Sequence, residues 1–373
     1  MARAEPERAG RTSGGTRNGD DQAMSWCRAR PSRPARSRRF ASRSARAGAA
    51  LALALAFVWL PSPASAEEQV AFTIRDERIT ESSGLAVSRR HKGVVYTHND
   101  SGDVPSVFAL GPDGGVRAVL TLGGANARDW EDIAIGQEER GRPAIFVGDI
   151  GDTRGGAGPY VTVYRIPEPA RLRSQTIRAT AFKIKYADGP RNAETLMINP
   201  KTNRLYLASK LFGGKVYEAP ARLRTDGFNV VRKVSGAPPI ATGGAFSPDG
   251  RTCVIRTYLG ARLYSVNPDG SPGKSLTSIG LPAQKQGESV TYTADGTALL
   301  AGSEGTNQPV YRIPLPEEAL PSKAPSRAPS PENAGSSGGA GEEGKDASST
   351  RTGLFLALAI AAAVGYGLLR KRG

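Results

Sequence analysis

Glu288-Ser-Val-Thr-Tyr292 is the last of five related stretches in the chain. The others are Ser83-Gly-Leu-Ala-Val87, Glu131-Asp-Ile-Ala-Ile135, Glu194-Thr-Leu-Met-Ile198 and Thr242-Gly-Gly-Ala-Phe246. Each opens on an oxygen-bearing side chain, and the third and fifth positions are apolar in all but the fourth copy. That alternation predicts a strand with a buried face. The starts are spaced by 48, 63, 48 and 46 residues, a period typical of propellers and other repeat arrays.

A second strand is predicted after each first one, at Val94–His98, Ala144–Val147, Arg204–Ala208, Cys253–Arg256 and Ala298–Ala301. Asp249-Gly250 and Asp295-Gly296 supply the tight turns in the last two repeats. Third strands follow, with Tyr-Arg-Ile-Pro at matching places in 164–167 and 311–314. Fourth strands fit the first four repeats, and the fifth lacks one. Val70–Ile74 has no repeat of its own, so it is expected to complete the fifth blade and close the ring, leaving no exposed edge. The expected fold is an all-β, five-bladed β-propeller over residues 67–320. The alternative is six blades, with extra strands hidden in the long second repeat.

The 373 residues carry a net charge of +15, but the excess lies at the ends. Residues 1–66 hold 12 Arg against 4 acids, whereas residues 67–320 hold 31 basic and 27 acidic residues, a balance of only +4. A nucleic-acid partner is therefore not expected. An Arg-rich segment, an apolar run over 47–60 and Ala64-Ser65-Ala66 have the order of a secretory leader cleaved after Ala66, with Met24 as an alternative start. Residues 321–350 read as a disordered Pro/Ser/Gly/Ala stalk. Residues 351–373 read as a membrane helix, with 17 uncharged residues from Gly353 to Leu369 followed by Arg370-Lys371-Arg372. The expectation is a monomeric extracellular domain anchored to the cell membrane by its C-terminal helix.

Two cysteines on opposite sides of the cleavage point allow no internal disulfide in the mature chain, and Cys253 is expected as a small buried hydrophobe. Two histidines, His91 and His98, exclude a multi-histidine zinc site. No Gly-x-Ser-x-Gly is present, so no serine-hydrolase arrangement stands out.

In a propeller the first strand of each blade lines the axis, and the end of the second lies on the same face. That face would collect Asn99, Asp100, Asp103, Asp149, Asp152, Lys210, Arg256 and Glu304, with Ser83, Glu131, Glu194, Thr242 and Glu288 deeper in. Converging carboxylates repel, and a cation relieves the conflict. Oxygen-only donors favour Ca²⁺. The competing reading is that each ring residue bonds the backbone of the neighbouring blade.

The ring order Ser83, Glu131, Glu194, Thr242, Glu288 resembles that of the calcium-activated nucleotidases, the soluble apyrases. That family's blades begin with Ser, Glu, Glu, Ser and Glu around an axial calcium, and here Thr242 takes the second Ser place. The resemblance covers the inner strands. It implies a five-bladed fold, the calcium, and Asp100 where the family has an acid near the nucleotide phosphates. Two function classes stay open. One is a calcium-dependent phosphohydrolase of nucleotide or phytase type, with Lys210, Arg256 and Glu304 at a small phosphorylated substrate and Asp100, His98 or Asp149 moving a proton. The other is a non-enzymatic surface propeller with structural calcium that binds a glycan or protein ligand. Trp130 is expected in packing rather than against a base or sugar.

Overall fold

The repeat starts become strands because each is an apolar or alternating run between turn residues. The computed structural model describes residues 69–102, 104–152 and 158–321. The expected leader, the stalk beyond Pro321, the membrane helix and Asp103 lie outside the described residues. Among the described residues no helix is long and apolar enough to cross a membrane.

Among the described residues the fold is all-β apart from a short 3₁₀ turn at Glu317–Ala319. Strand β1 (Gln69–Thr73) comes first. A first unit follows, with β2 (Ser82–Val87), β3 (Val95–Asn99), β4 (Ser106–Leu110) and β5 (Val116–Gly123). The second contains β6 (Trp130–Gln137), β7 (Pro143–Asp149), β8 (Val161–Pro167), β9 (Gln175–Arg178) and β10 (Thr180–Tyr186). The third contains β11 (Ala193–Ile198), β12 (Leu205–Ser209), β13 (Lys215–Glu218) and β14 (Phe228–Gly236). The fourth contains β15 (Ala241–Phe246), β16 (Thr252–Thr257), β17 (Gly260–Val266) and β18 (Pro272–Ile279). The fifth contains β19 (Gly287–Tyr292), β20 (Ala298–Ser303) and β21 (Pro309–Pro314).

Strand β1 pairs antiparallel with β21, so the N-terminal strand completes the fifth sheet as the sequence expects. Gln69 faces Arg312 and Thr73 faces Pro309, which puts the start of β1 and the end of β21 at the same end of the sheet. The long second repeat holds one extra strand, β9, of the kind the six-bladed alternative expects. It builds no sheet of its own but lies parallel to β5 on the outer edge of the first unit. The outer strands β10 and β14 also pair in parallel, joining the second and third units at their rims. Each such pairing covers an edge that would otherwise expose unpaired N–H and C=O groups.

The first strands β2, β6, β11, β15 and β19 contact one another in cyclic order, with β19 returning to β2. Apolar cores fill the spaces between successive units. Ile133 and Ile145 pack with Tyr96 and Leu120 between the first and second units, and Phe182 with Leu196 between the second and third. Cys253, buried and unoxidised as expected, packs with Tyr206 between the third and fourth. Val254 with Val290 and Leu300 with Phe108 complete the circuit. The fold is thus propeller-like. The β15–β16 and β19–β20 turns use Gly250 at φ 62° and Gly296 at φ 68°, the positive φ their Asp-Gly sequences predict.

Asp132, the second residue of its repeat, is fully buried among the first strands. Its carboxylate accepts Ile133 N at 2.8 Å, Leu196 N at 2.9 Å and Gly244 N at 3.3 Å. One side chain therefore ties β6, β11 and β15 together. Asp132→Ala would leave three buried donors without acceptors, each costing about 1–3 kcal/mol. Urea unfolding should show a loss of about 3 kcal/mol or more; a change below about 1 kcal/mol would mean these strands do not depend on it.

Candidate functional site

Every first strand begins with the same local geometry. Ser82 faces Asn99, Trp130 faces Asp149, Ala193 faces Ser209, Ala241 faces Thr257 and Gly287 faces Ser303. Immediately afterwards the register slips in all five pairs, so Ser83, Glu131, Glu194, Thr242 and Glu288 each sit on a bulge. A bulge leaves a residue out of the ladder and re-aims its side chain. All five ring residues are buried. One step past the paired residue of each second strand come Asp100, Ile150, Lys210, Tyr258 and Glu304; Ile150 packs into the core between the second and third units, and the other four lie at the mouth above the ring.

The two hydroxyl members serve the neighbouring strand. Ser83 donates to Glu131 O at 2.6 Å and Thr242 to Glu288 O at 3.0 Å. The three glutamates behave differently. Glu194 pairs with Lys210. Glu288 Oε1 accepts Tyr258 OH at 3.0 Å and Gln286 Nε2 at 3.3 Å. Glu131 Oε1 has no hydrogen-bond partner among the described residues.

Glu131 is instead one of three buried carboxylates, with Asp100 and Asp129, that each offer an oxygen within 4.8 Å of the others. Burial, then Glu194, Asp100 and Asp129, push the Glu131 carboxyl well above its ordinary range, against the pull of Lys210. Gly151 forms the adjoining wall: a Cβ there would overlap Glu131 Oε1 and the Asp129 carboxyl group. Hard anionic oxygens with an orphaned donor and a side-chain-free wall suit a divalent cation. Asp129 escapes the sequence reading because only the first residue of each repeat and the ends of the second strands are weighed there, although Asp129-Trp-Glu-Asp132 is visibly acid-rich.

Asp149 sits beside this cluster, with Oδ1 3.2 Å from Arg128 Nε and 3.2 Å from Asp129 N. Burial raises its carboxyl to about 6, against Arg128. Lys210 Nζ donates to Tyr258 OH at 2.7 Å and lies 5.0 Å from that ring's centroid. Glu304 is half-buried, its carboxyl pushed up to about 9 by burial, Glu288, Asp100 and Glu81.

His98 and Arg256 are placed away from solvent. His98 Nδ1 donates to Asn99 O at 2.9 Å, and its ring meets Trp130 edge-on at 5.8 Å. Burial lowers the imidazole to about 4, so it is neutral. A Cβ at Gly84 would fall 2.8 Å from His98 Nε2, so the absent side chain makes room for the ring. Arg256 donates to Ser289 O at 2.7 Å, Gly302 O at 2.8 Å and Gln284 Oε1 at 2.6 Å. Those donors bind the fifth unit. The rim position that the sequence reading gives to Arg256 belongs to Tyr258, because β16 runs to Thr257. Trp130 is buried and donates to Asn126 O at 2.7 Å, a packing role.

No protein-family model and no curated protein matches the chain. Among solved structures it is similar to a gluconolactonase from Xanthomonas campestris, described as important in glucose secondary metabolic pathways. The identity is 16%, the alignment covers 62% of this chain and 72% of that one, and the TM-score is 0.41.

Burial raises the Glu194 carboxyl, but the Lys210 ammonium against it keeps it ionised, so Glu304, pushed up to about 9, sets the pH dependence. Glutamates in the unfolded chain titrate near 4.5. Over the range between, the folded chain binds protons that the unfolded chain has released, so stability falls as pH rises. His98 acts oppositely: the unfolded imidazole gains its proton below about 6.5 and the folded one only near 4, which costs stability as pH falls. With chelator present, stability should therefore drop from pH 6.5 to 9, by up to about 1.4 kcal/mol per pH unit through Glu304. Urea unfolding at pH 6.5, 7.5 and 8.5 measures this, and a flat profile would mean Glu304 is ionised when folded.

Proposed function

We propose that this chain is a five-bladed β-propeller, extracellular and tethered to the cell membrane, that holds a calcium ion at Asp100, Asp129 and Glu131. Its reaction is the hydrolysis of small phosphoesters such as nucleotides. The observation that carries the reading is the buried triad, with its orphaned Glu131 oxygen and the Gly151 wall. Five cyclically contacting first strands support the blade number, and the ring order Ser83, Glu131, Glu194, Thr242, Glu288 supports the likeness to the calcium-activated nucleotidases. Only oxygen donors surround the site, which favours calcium over softer ions.

When bound, calcium would neutralise phosphoryl charge and orient the substrate. The chain's own contribution centres on Asp149. Its carboxylate is held by Arg128 and Asp129 N and is largely ionised at neutral pH, so it can accept a proton from an attacking water. Lys210 keeps its charge within the mouth through Glu194 and Tyr258. The neutral, buried His98 supports the wall behind Trp130 rather than moving a proton.

A second reading rests on one further observation. Lys210, Arg256 and Arg128 all have protein partners, so none is held in reserve for a phosphate. A non-enzymatic propeller with structural calcium, binding a glycan or protein ligand, has the same geometry.

The purified full-length chain, assayed with nucleoside di- and triphosphates, should release phosphate with calcium and none with chelator. Calcium at about 100 times its Kd should stabilise the fold by about 2.7 kcal/mol. Glu131→Gln and Gly151→Ala should each abolish that stabilisation. Asp149→Asn should keep it and lose at least about a hundredfold in rate. Calcium stabilisation without phosphate release would select the binding module, and no stabilisation would sink the ion site.

A further inference from the structure

Two adjoining groups of carboxylates meet at the mouth, and the Lys210 ammonium lies within one of them. Asp100, Asp129 and Glu131 belong to the first and second units. Glu194 and Glu288 belong to the third and fifth, and the Lys210 ammonium lies between them. Lys210 pairs with Glu194 and donates to Tyr258 OH, and Tyr258 in turn donates to Glu288 Oε1 at 3.0 Å. One ammonium thereby links side chains of three consecutive units. Glu288 Oε2, also buried, has no hydrogen-bond partner among the described residues.

We infer that Lys210 is a built-in counter-cation that occupies the place of a second metal ion, so that the native chain binds a single divalent cation and removal of the ammonium opens a second site at Glu194 and Glu288. The inference builds on the calcium reading above, since it divides the ring between an exchangeable ion and a covalently tethered one. The physical grounds are simple. A tethered ammonium is present at every metal concentration, and it repels a divalent ion within a few ångströms. With Lys210 in place, Glu194 and Glu288 are not free to join the ligand set of the triad. Without it, two buried carboxylates remain, with the Glu288 Oε2 donor unpartnered and the Tyr258 hydroxyl alongside. Such an arrangement needs a cation to ionise.

Terbium is a suitable probe, because a nearby phenol sensitises its luminescence and Tyr258 lines the opened site. The full-length chain and Lys210→Met are titrated with Tb³⁺ and with Ca²⁺, and bound ions are counted by equilibrium dialysis. The stoichiometry should rise from one to two, and the second ion should add Tyr258-sensitised luminescence to that which Trp130, between Asp129 and Glu131, lends the first. Adding Glu194→Gln or Tyr258→Leu to Lys210→Met should remove the second ion or its added signal while leaving the first ion in place. Lys210→Gln retains a hydrogen-bonding side chain and should give the same gain if the methionine variant folds poorly. An unchanged count of one in both Lys210 variants would overturn the inference. So would loss of the native ion in Glu194→Gln alone, since the ion would then sit on the axis. A native chain that binds none while Lys210→Met gains one would refute the calcium reading and leave the role of Lys210 standing.

Discussion

Carboxylates from different units converge on one end of the axis, and their mutual repulsion is the constraint around which the mouth is built. Glu131, Glu194 and Glu288 are each delivered by a bulge at the same register position. Glu304 and Asp100 approach from the second strands. Burial denies these groups the water that would screen them, so each must be protonated, hydrogen-bonded or faced by a cation. All three solutions are visible: the raised Glu304 carboxyl, the Tyr258 and Gln286 donors to Glu288, and the Lys210 ammonium on Glu194. Deeper in, Asp132 meets the same problem with three backbone donors from three strands.

The repeat and the closing strand are legible in the sequence because they rest on short-range pattern. Glu288-Ser-Val-Thr-Tyr292 and its relatives alternate as strands do, and Val70–Ile74 lacks any other partner. What escapes is pairing between outer strands. The joining of β9 to β5 and of β10 to β14 is parallel and between units, and no alternation within Gln175–Arg178 signals which edge it will cover. The site is legible to the same depth. The five ring positions are visible because they recur, and the structure sets all five, buried, on bulges. Asp129 is not, because it precedes the repeat, and Tyr258 is displaced by Arg256, because two residues of strand length separate a buried structural guanidinium from the rim. Alternation keeps both on the same face, so only the register can tell them apart.

The difference between Arg256 and Lys210 shows why charge alone does not identify a ligand-binding residue. Both are cations near acids. Arg256 is buried in the strand, where burial lowers its guanidinium to about 10 and three acceptors from protein groups compensate. A Cβ at Gly287 would overlap its Nη2, so the glycine that starts β19 is part of the same packing. Lys210 lies one residue past its strand, half-buried, with its ammonium among side chains rather than carbonyls. Backbone acceptors fix a cation permanently, whereas side-chain carboxylates can exchange one cation for another.

Ring closure and the site are kept apart by geometry. Strand β1 runs from the end of the fifth sheet where β21 finishes toward the end where β21 begins, and the latter is the side of Glu304 and the mouth. Pro321 lies against Gly296, in the turn between β19 and β20, at the far end of the sheet. The chain therefore enters and leaves the described domain on the face opposite the carboxylates. The five bulges, with their buried ring residues, therefore stand clear of both ends of the described domain and need satisfy only the charge balance of the site.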